Sequence, residues 1–430
     1  MIAPPRGARD PGAYALGERV PSRVAEPADA AALAAVLREA NAAREAIVLH
    51  GGGTLQAAAN VPSRYDIAIL TRRLDTVHAY DHRDLTIGAG AGMTVESLVR
   101  TLAEHGQFVP LDAPLAADAT LGGTLSAGWL GPRRAAYGAP RDLLIGATVA
   151  LADGSLASSG GMVVKNVTGY DMGKLYVGSH GTLGAIVRAN FKLLTAPPAR
   201  RLAVSPFDPE LRDRLVAHAR ALALQPVALL VLDAAFVPRE LGAPATVPAI
   251  VALFEGSDAL VSRALREYRS ALGAAGIAET RILDRGDADR GFHAVLDAYV
   301  APCGDLSLTL VARGRPSDAE ARVARARAVL APFADEAPSC TAACIADLLT
   351  GDVVVRLAQQ SAPDAARLGA ATAAVRNALG GGRRIAAGPR AVALAAAWPS
   401  TPSTIGTMRA LKERFDPAGV LAPGRFVGGI

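Results

Sequence analysis

K-N-V-T-G-Y-D-M-G-K-L-Y-V-G-S-H-G-T-L-G-A-I, residues Lys165 to Ile186, places five glycines among Thr, Ser, Tyr and Asn yet keeps strand-forming residues. A segment of this make-up builds no bulky core. Its glycines, lacking side chains, let backbone pass close to something large and flat. Two earlier stretches share the character: H-G-G-G-T from His50 to Thr54, and T-L-G-G-T-L-S-A-G from Thr120 to Gly128. Three such stretches in one half of the chain point to a shared ligand with a phosphate part and a ring part.

H-G-G-G-T follows an apolar strand, and successive glycine N–H groups pointing one way form a nest for phosphate oxygens, to which Thr54 can add a hydroxyl. No G-K-[ST] ends the run, so it is not a nucleotide-hydrolysing P-loop. The competing reading is an ordinary tight turn. Thr120 to Gly128 suits a wall against an aromatic ring system, with backbone N–H groups offered to carbonyls and ring nitrogens; the competing reading is a loop with turn glycines. Ser126, Arg133, Arg134, Tyr137 and Asp142 are polar candidates nearby. Gly88-Ala-Gly-Ala-Gly92 invites a dinucleotide fingerprint, with Asp112 as the acidic residue, but Met93 stands where the third glycine belongs. Packing glycines under a helix is the preferred reading.

The chain is long for one core at 430 residues, and two domains are expected. Hydrophobic content of 51% with 20% charge describes a globular protein with a sizeable interior. A formal charge of +5 without basic blocks argues against nucleic acid and is compatible with small anionic substrates or an acidic partner subunit. The N-terminus lacks the apolar core of a signal peptide, and no long apolar run suggests a membrane span. Three cysteines fit reduced thiols in a cytoplasmic protein. None of the seven histidines lies beyond His293, and no His/Glu cluster with metal-ligand spacing is visible, so no metal is expected. His180 alone sits inside a ligand-like loop.

The pattern predicts an amphipathic helix over 26–45, strands at 46–49, 67–70, 78–80 and 85–92, and a helix from a cap near Thr94 to about 104. A hairpin turning at Asp153-Gly154 follows. T-A-P-P-A-R, Thr195 to Arg200, reads as a linker. Beyond it, strands at 228–232, 249–254 and 306–312 alternate with helices over about 208–223, 257–275 and 316–333, as in a sheet with helices on a face. A helix over 405–415 and a Pro/Gly tail close the chain.

Taken together, G-G-G-T, then T-L-G-G, then Y-G and D-G, then G-S-H-G-T-L-G resemble the FAD-binding domain of the vanillyl-alcohol oxidase/PCMH flavoproteins, over about residues 20–195. Within that family, K-N-V-T-G-Y-D with G-S-H-G-T-L-G is similar to the FAD-binding subunit of bacterial glycolate oxidase. The closing F-D-P-A-G-V-L-A-P-G-R resembles the C-terminal signature of FAD-linked oxidases, which usually has Asn where Ala422 stands.

The resemblance implies an α+β fold: a PCMH-type two-subdomain FAD-binding domain over 1–195, an α+β cap with an antiparallel sheet over 196–400, and a segment over 401–430 returning to the FAD domain. It implies that His50, Gly51, Gly52, Gly53, Thr54 and Leu55 hold the pyrophosphate. Pro114, Thr120, Gly122, Gly123, Ser126 and Gly128 would line the isoalloxazine and ribityl chain, and Gly181, Gly184 and Ile186 would approach the flavin or adenosine. Covalently flavinylated members often carry His after the glycines; Thr54 stands there, which implies non-covalent FAD. The implied activity is FAD-dependent oxidation of CH–OH groups, glycolate to glyoxylate, in a complex with a catalytic FAD subunit and an iron–sulfur subunit. That complex implies peripheral association with the inner face of the membrane. The cap lacks the histidine-rich motif of the catalytic subunits, which favours an accessory role. A self-sufficient oxidase or dehydrogenase of another small 2-hydroxy acid or alcohol is the alternative, and a flavin-free scaffold is the third reading. No catalytic residue is assigned.

Overall fold

The computed structural model describes residues 10–163, 169–206, 217–218, 221–244, 246–277, 279–301, 303–335, 340–359 and 364–430. The chain divides into two compact units, one formed by Met1–Leu130, Gly138–Ala196 and Arg384–Ile430, the other by Gly131–Tyr137 and Pro197–Arg383. Residues 384–400, expected with the cap, therefore cluster with the first unit, and the short excursion 131–137 belongs to the second.

The first unit contains two sheets. A parallel one runs in the order Arg23–Ala25, Ile67–Leu70, Ile47–His50. Helix Ala30–Ala43 is set by Asp29, whose side chain accepts the Ala32 N–H, and ends at Arg44 in the left-handed region. Its Leu33, Leu37 and Ala40 recur at helical spacing and are buried in one cluster with Ile47, Ile67 and Ile69. Val420 and Leu421 join that cluster, and Leu421 bridges to Ile47 beside the sheet. The chain's end is thus built into the first sheet's core.

The second sheet is antiparallel, in the order Val77–Asp81, Thr86–Gly90, Ala185–Lys192, Leu144–Ala150, Leu156–Gly160. Because Thr86–Gly90 pairs antiparallel on both sides, a dinucleotide fingerprint, which needs a parallel βαβ unit, does not apply. The glycines there serve packing: a Cβ on Gly90 would stand 2.1 Å from the Leu74 carbonyl oxygen, and one on Gly92 2.0 Å from that of Thr71. Helix Val95–Ala103, capped by Thr94, buries Val95, Leu98 and Leu102 in this sheet's core.

The second unit is built on an antiparallel sheet ordered Arg281–Asp284, Ala199–Pro206, Ala249–Gly256, Ala228–Leu232, Cys340–Asp347, Val353–Gln359, Ser307–Ala312. Helices Asp258–Ala274, Arg285–Val300, Ala319–Asp335 and Ala365–Leu379 accompany it. T-A-P-P-A-R is shorter as a linker than expected, since strand begins at Ala199 directly after the two prolines. Most of the helix expected over 208–223 lies outside the described residues. Among the described residues no helix is long and apolar enough to cross a membrane.

Candidate functional site

The strand Ile47–His50 delivers the chain into Gly51–Leu55. Among the described residues, no acceptor takes the N–H of Gly51, Gly52, Gly53, Thr54 or Leu55. Gly52 and Leu55 are buried and Gly51, Gly53 and Thr54 half-buried along a groove, and backbone donors shielded from water are almost always paired. Consecutive unclaimed amides are donors that an anion can take. The loop lies tight against its neighbours: a Cβ on Gly51 would fall 2.1 Å from Thr120 Oγ1, and one on Gly52 1.8 Å from the Asp118 carbonyl oxygen. Arg72 braces it, with Nε donating to the Gly51 carbonyl at 3.3 Å and Nη2 to Asp118 Oδ1 at 3.0 Å.

Thr120 to Gly128 is a helix, Leu121–Ala127, rather than a loop wall. Thr120 caps it by accepting the Gly123 N–H at 3.2 Å, and Gly128 ends it at φ 60. Two glycines in seven residues disguise a helix from propensity. Tertiary contact supplies what propensity lacks, for Leu121 N–H donates to the Met93 carbonyl at 2.9 Å and Gly122 N–H to that of Ala91 at 2.7 Å. Gly122 must be small, since its Cβ would lie 2.9 Å from that of Ala91. The expectation that these amides serve a ring ligand is therefore corrected: those of Gly122 and Gly123 are already spent on the protein. Thr124 Oγ1 in this helix is buried without a hydrogen-bond partner among the described residues.

A groove in the first unit is lined by eleven of the expected residues: Gly51, Gly52, Gly53, Thr54, Leu55, Thr120, Gly122, Gly123, Ser126, Gly181 and Ile186. Four others do not line it. Pro114 is buried away from it. Gly184 packs against the second sheet, where a Cβ would meet Val149 Cγ1 at 2.5 Å. Gly128 is the helix cap, and a Cβ there would lie 2.9 Å from Gly178 Cα. His50 turns its ring into the core, with Nε2 2.6 Å from the Tyr65 hydroxyl, which donates on to the Tyr14 carbonyl at 3.2 Å. The start of the opening run, 165–168, lies outside the described residues.

Burial, with the Arg425 cation second, pushes the His50 imidazole down to about 3. A neutral buried histidine titrates lower in the folded than in the unfolded chain, where its ordinary value is 6.5. Its contribution is complete above that value and is lost progressively as pH falls towards 3. His50→Gln is expected to flatten the slope of unfolding free energy against pH between these limits, read from urea titrations at several pH values. An unchanged slope would contradict the assignment.

Sequence reading missed the polar frame behind the glycine loop. Arg425, at 3% exposure, lines the groove and donates to the Asn60 carbonyl at 3.1 Å, the Gln56 carbonyl at 3.0 Å and Gln56 Oε1 at 2.6 Å. Arg384, fully buried, donates to the carbonyls of Ala57 and Ala59, each at 2.6 Å, and to those of Val392 and Ala395. Asp416 accepts from the N–H groups of Val420 and Leu421 at 3.0 and 2.7 Å, and Lys412 donates to the Thr182 carbonyl at 2.9 Å. The F-D-P…G-R signature is thus a strap that fixes the residues just after the glycine loop. Ala422 within it holds φ 45, a left-handed conformation that Asn tolerates better than Ala. His180 also lines the groove, its N–H donating to the Ser126 carbonyl at 2.8 Å and its ring edge-on to Trp398.

The other polar candidates have structural partners. In the second unit, Arg133 and Tyr137 bind the fully buried Glu255 carboxylate at 3.1 and 2.6 Å, together with Arg200 at 2.6 Å, and Arg134 pairs with Asp352 at 2.9 Å. In the first, Asp142 accepts the Ala139 N–H at 2.9 Å, and the Asp112 carbonyl accepts from Trp129 Nε1 at 2.7 Å. Among the described residues no group of His, Cys, Asp and Glu could hold a metal ion.

Residues 21–160 match the family described as FAD binding domain. The chain is 37% identical over 121 residues to glycolate oxidase subunit GlcE of Escherichia coli, covering 28% of this chain and 35% of that one. It is 29% identical over 191 residues to glycolate oxidase subunit GlcD of Bacillus subtilis, covering 44% and 41%. It is 31% identical over 191 residues to the D-2-hydroxyglutarate dehydrogenase of Xanthomonas citri, covering 44% and 40%. The matches thus span about two fifths of these relatives' length. Among solved structures, p-cresol methylhydroxylase with substrate bound shares the fold at a TM-score of 0.67 with 15% identity, over 95% of this chain and 89% of that one. Alkyldihydroxyacetonephosphate synthase does so at 0.68 with 16% identity, over 94% and 76%.

Proposed function

On the premise that this chain carries a PCMH-type FAD-binding domain with FAD as its cofactor, we propose that it is the FAD-binding subunit of a glycolate oxidase-type complex. In this reading it takes part in oxidising a small 2-hydroxy acid. Its relatives are named as glycolate oxidase subunits and as D-2-hydroxy-acid dehydrogenases, which supports a 2-hydroxy acid as substrate. The observation that carries the cofactor's place is the row of unclaimed amides from Gly51 to Leu55.

In this reading those amides and the Thr54 hydroxyl take the pyrophosphate without a covalent link. Thr120, Gly122, Gly123 and Ser126 give a wall of small residues along the groove, and Gly181 and Ile186 bring backbone up to its far side. Arg425 contributes a buried positive charge behind the loop, pulled down to about 10 by burial but still protonated at neutral pH. Bound FAD supplies the two-electron acceptor for oxidising the CH–OH carbon. The second unit's sequence holds His218 and His293 as its only histidines, so a metal or imidazole base for the substrate is assigned to the catalytic flavoprotein partner, and electron outflow to an iron–sulfur partner. Membrane association, in the same reading, comes through those subunits.

The test is to purify the chain alone and co-expressed with its partner subunits, record the visible flavin spectrum, and assay glycolate with a dye acceptor. The expected result is a yellow protein that is inactive alone and gains turnover in the complex. Strong stand-alone turnover would overturn the accessory role in favour of a self-sufficient dehydrogenase, the reading that the match to D-2-hydroxyglutarate dehydrogenase favours.

A further inference from the structure

Gly51 also lines a second cavity of about 460 Å³ in the first unit. This one is polar. Arg72, Arg73 and Arg100 line it, together with Glu26 and Asp75. Arg72 is occupied with the glycine loop and Asp118. Among the described residues Arg73 has no hydrogen bond or ion pair, and Arg100 has only a 3.5 Å contact to Ser97 Oγ. Thr94, Ser97 and Thr101 add hydroxyls to the same wall. They belong to the capped start and one face of helix Val95–Ala103, whose N-terminal end carries partial positive charge.

Uncommitted guanidiniums, hydroxyl donors and a helix start within one cavity suit a phosphate group, for which Arg offers paired donors. The volume exceeds what a bare phosphate fills and lies in the range of small-molecule sites. The two carboxylates are acceptors suited to ligand hydroxyls. We propose that this cavity binds a small hydroxylated phosphate monoester, and that its occupancy is sensed at the FAD loop through Arg72. The ligand phosphate competes with Asp118 for Arg72, the side chain that also holds the Gly51 carbonyl. Loosening that brace weakens FAD, and by linkage FAD weakens the ligand equally. This inference rests on the FAD-binding domain alone, not on the hydroxy-acid reading.

The test uses the FAD-loaded full chain, in which the pyrophosphate cradle is already filled. Calorimetric titration with glycerol 3-phosphate is expected to give saturable one-to-one binding, weaker binding of inorganic phosphate, and none of glycerol. The double variant R73A/R100A, checked as folded by its flavin spectrum, is expected to lose at least about tenfold in affinity, the scale of two charge-assisted bonds. Saturating glycerol 3-phosphate is expected to raise the Kd for FAD several-fold in the parent and not in the variant. Absence of saturable binding, or equal binding by the double variant, would overturn the site; an unchanged Kd for FAD would overturn the coupling.

Discussion

Gly52→Ala is expected to yield a folded protein that retains little or no FAD. The added methyl would stand 1.8 Å from the Asp118 carbonyl oxygen and 2.5 Å from its carbon. Both are backbone atoms, one residue from the Ala119 carbonyl that accepts the Val95 N–H at 2.8 Å, so they have little freedom to retreat. The loop must move instead, and the amides from Gly51 to Leu55 move with it. Overpacking of this kind costs about 3 kcal/mol at the upper end, which if it falls on the bound state is roughly a 100-fold weaker Kd. Flavin content after gel filtration and a fluorescence titration of the apoprotein measure it. Gly406→Ala is the control, for nothing lies within 4 Å of a Cβ there and the position is helical. Gly406→Ala is expected to be neutral or slightly stabilising. A Gly52→Ala protein with the parent's flavin content would refute the close-approach argument.

The second large effect is expected at Arg384. Arg384→Met keeps the stem but strips the donors from the carbonyls of Ala57, Ala59, Val392 and Ala395. Each buried carbonyl left unmade costs on the order of 1 kcal/mol, offset in part by no longer burying a charge, so a net loss of about 3 kcal/mol is expected. The denaturant midpoint should fall, and FAD retention with it, because Ala57 and Ala59 directly follow the glycine loop. Arg384→Lys should recover only part of the loss, since one ammonium cannot span carbonyls reached by three nitrogens of a rigid fork. A parent-like midpoint for Arg384→Met, measured by urea titration, would sink the anchoring role given to Arg384.

The glycine loop was legible because its chemistry is local: consecutive glycines after an apolar strand can expose amides without side chains in the way. The helix Leu121–Ala127 was not, because its stability is borrowed from Met93 and Ala91, some thirty residues away. His50 sits beside the loop in sequence, but strand alternation turns its ring into the core with Tyr65, which spacing alone does not reveal. Tyr137, Arg133 and Arg134 looked available to a ligand, yet partners more than a hundred residues away occupy them. Gly184 illustrates the same limit: a motif glycine can serve a neighbouring strand rather than a ligand.

The sequence by itself determined that this chain carries a glycine-rich loop after an apolar strand and a motif order resembling that of FAD-binding domains, and it pointed to two units, because each is written in contiguous residues. Only the tertiary structure decided which glycines face the groove, which amides remain unclaimed, and that Arg384 and Arg425 anchor residues 56–60 from more than three hundred positions away. Hydrogen-bond partners and close backbone approaches between distant segments arise from packing, and no local pattern encodes them.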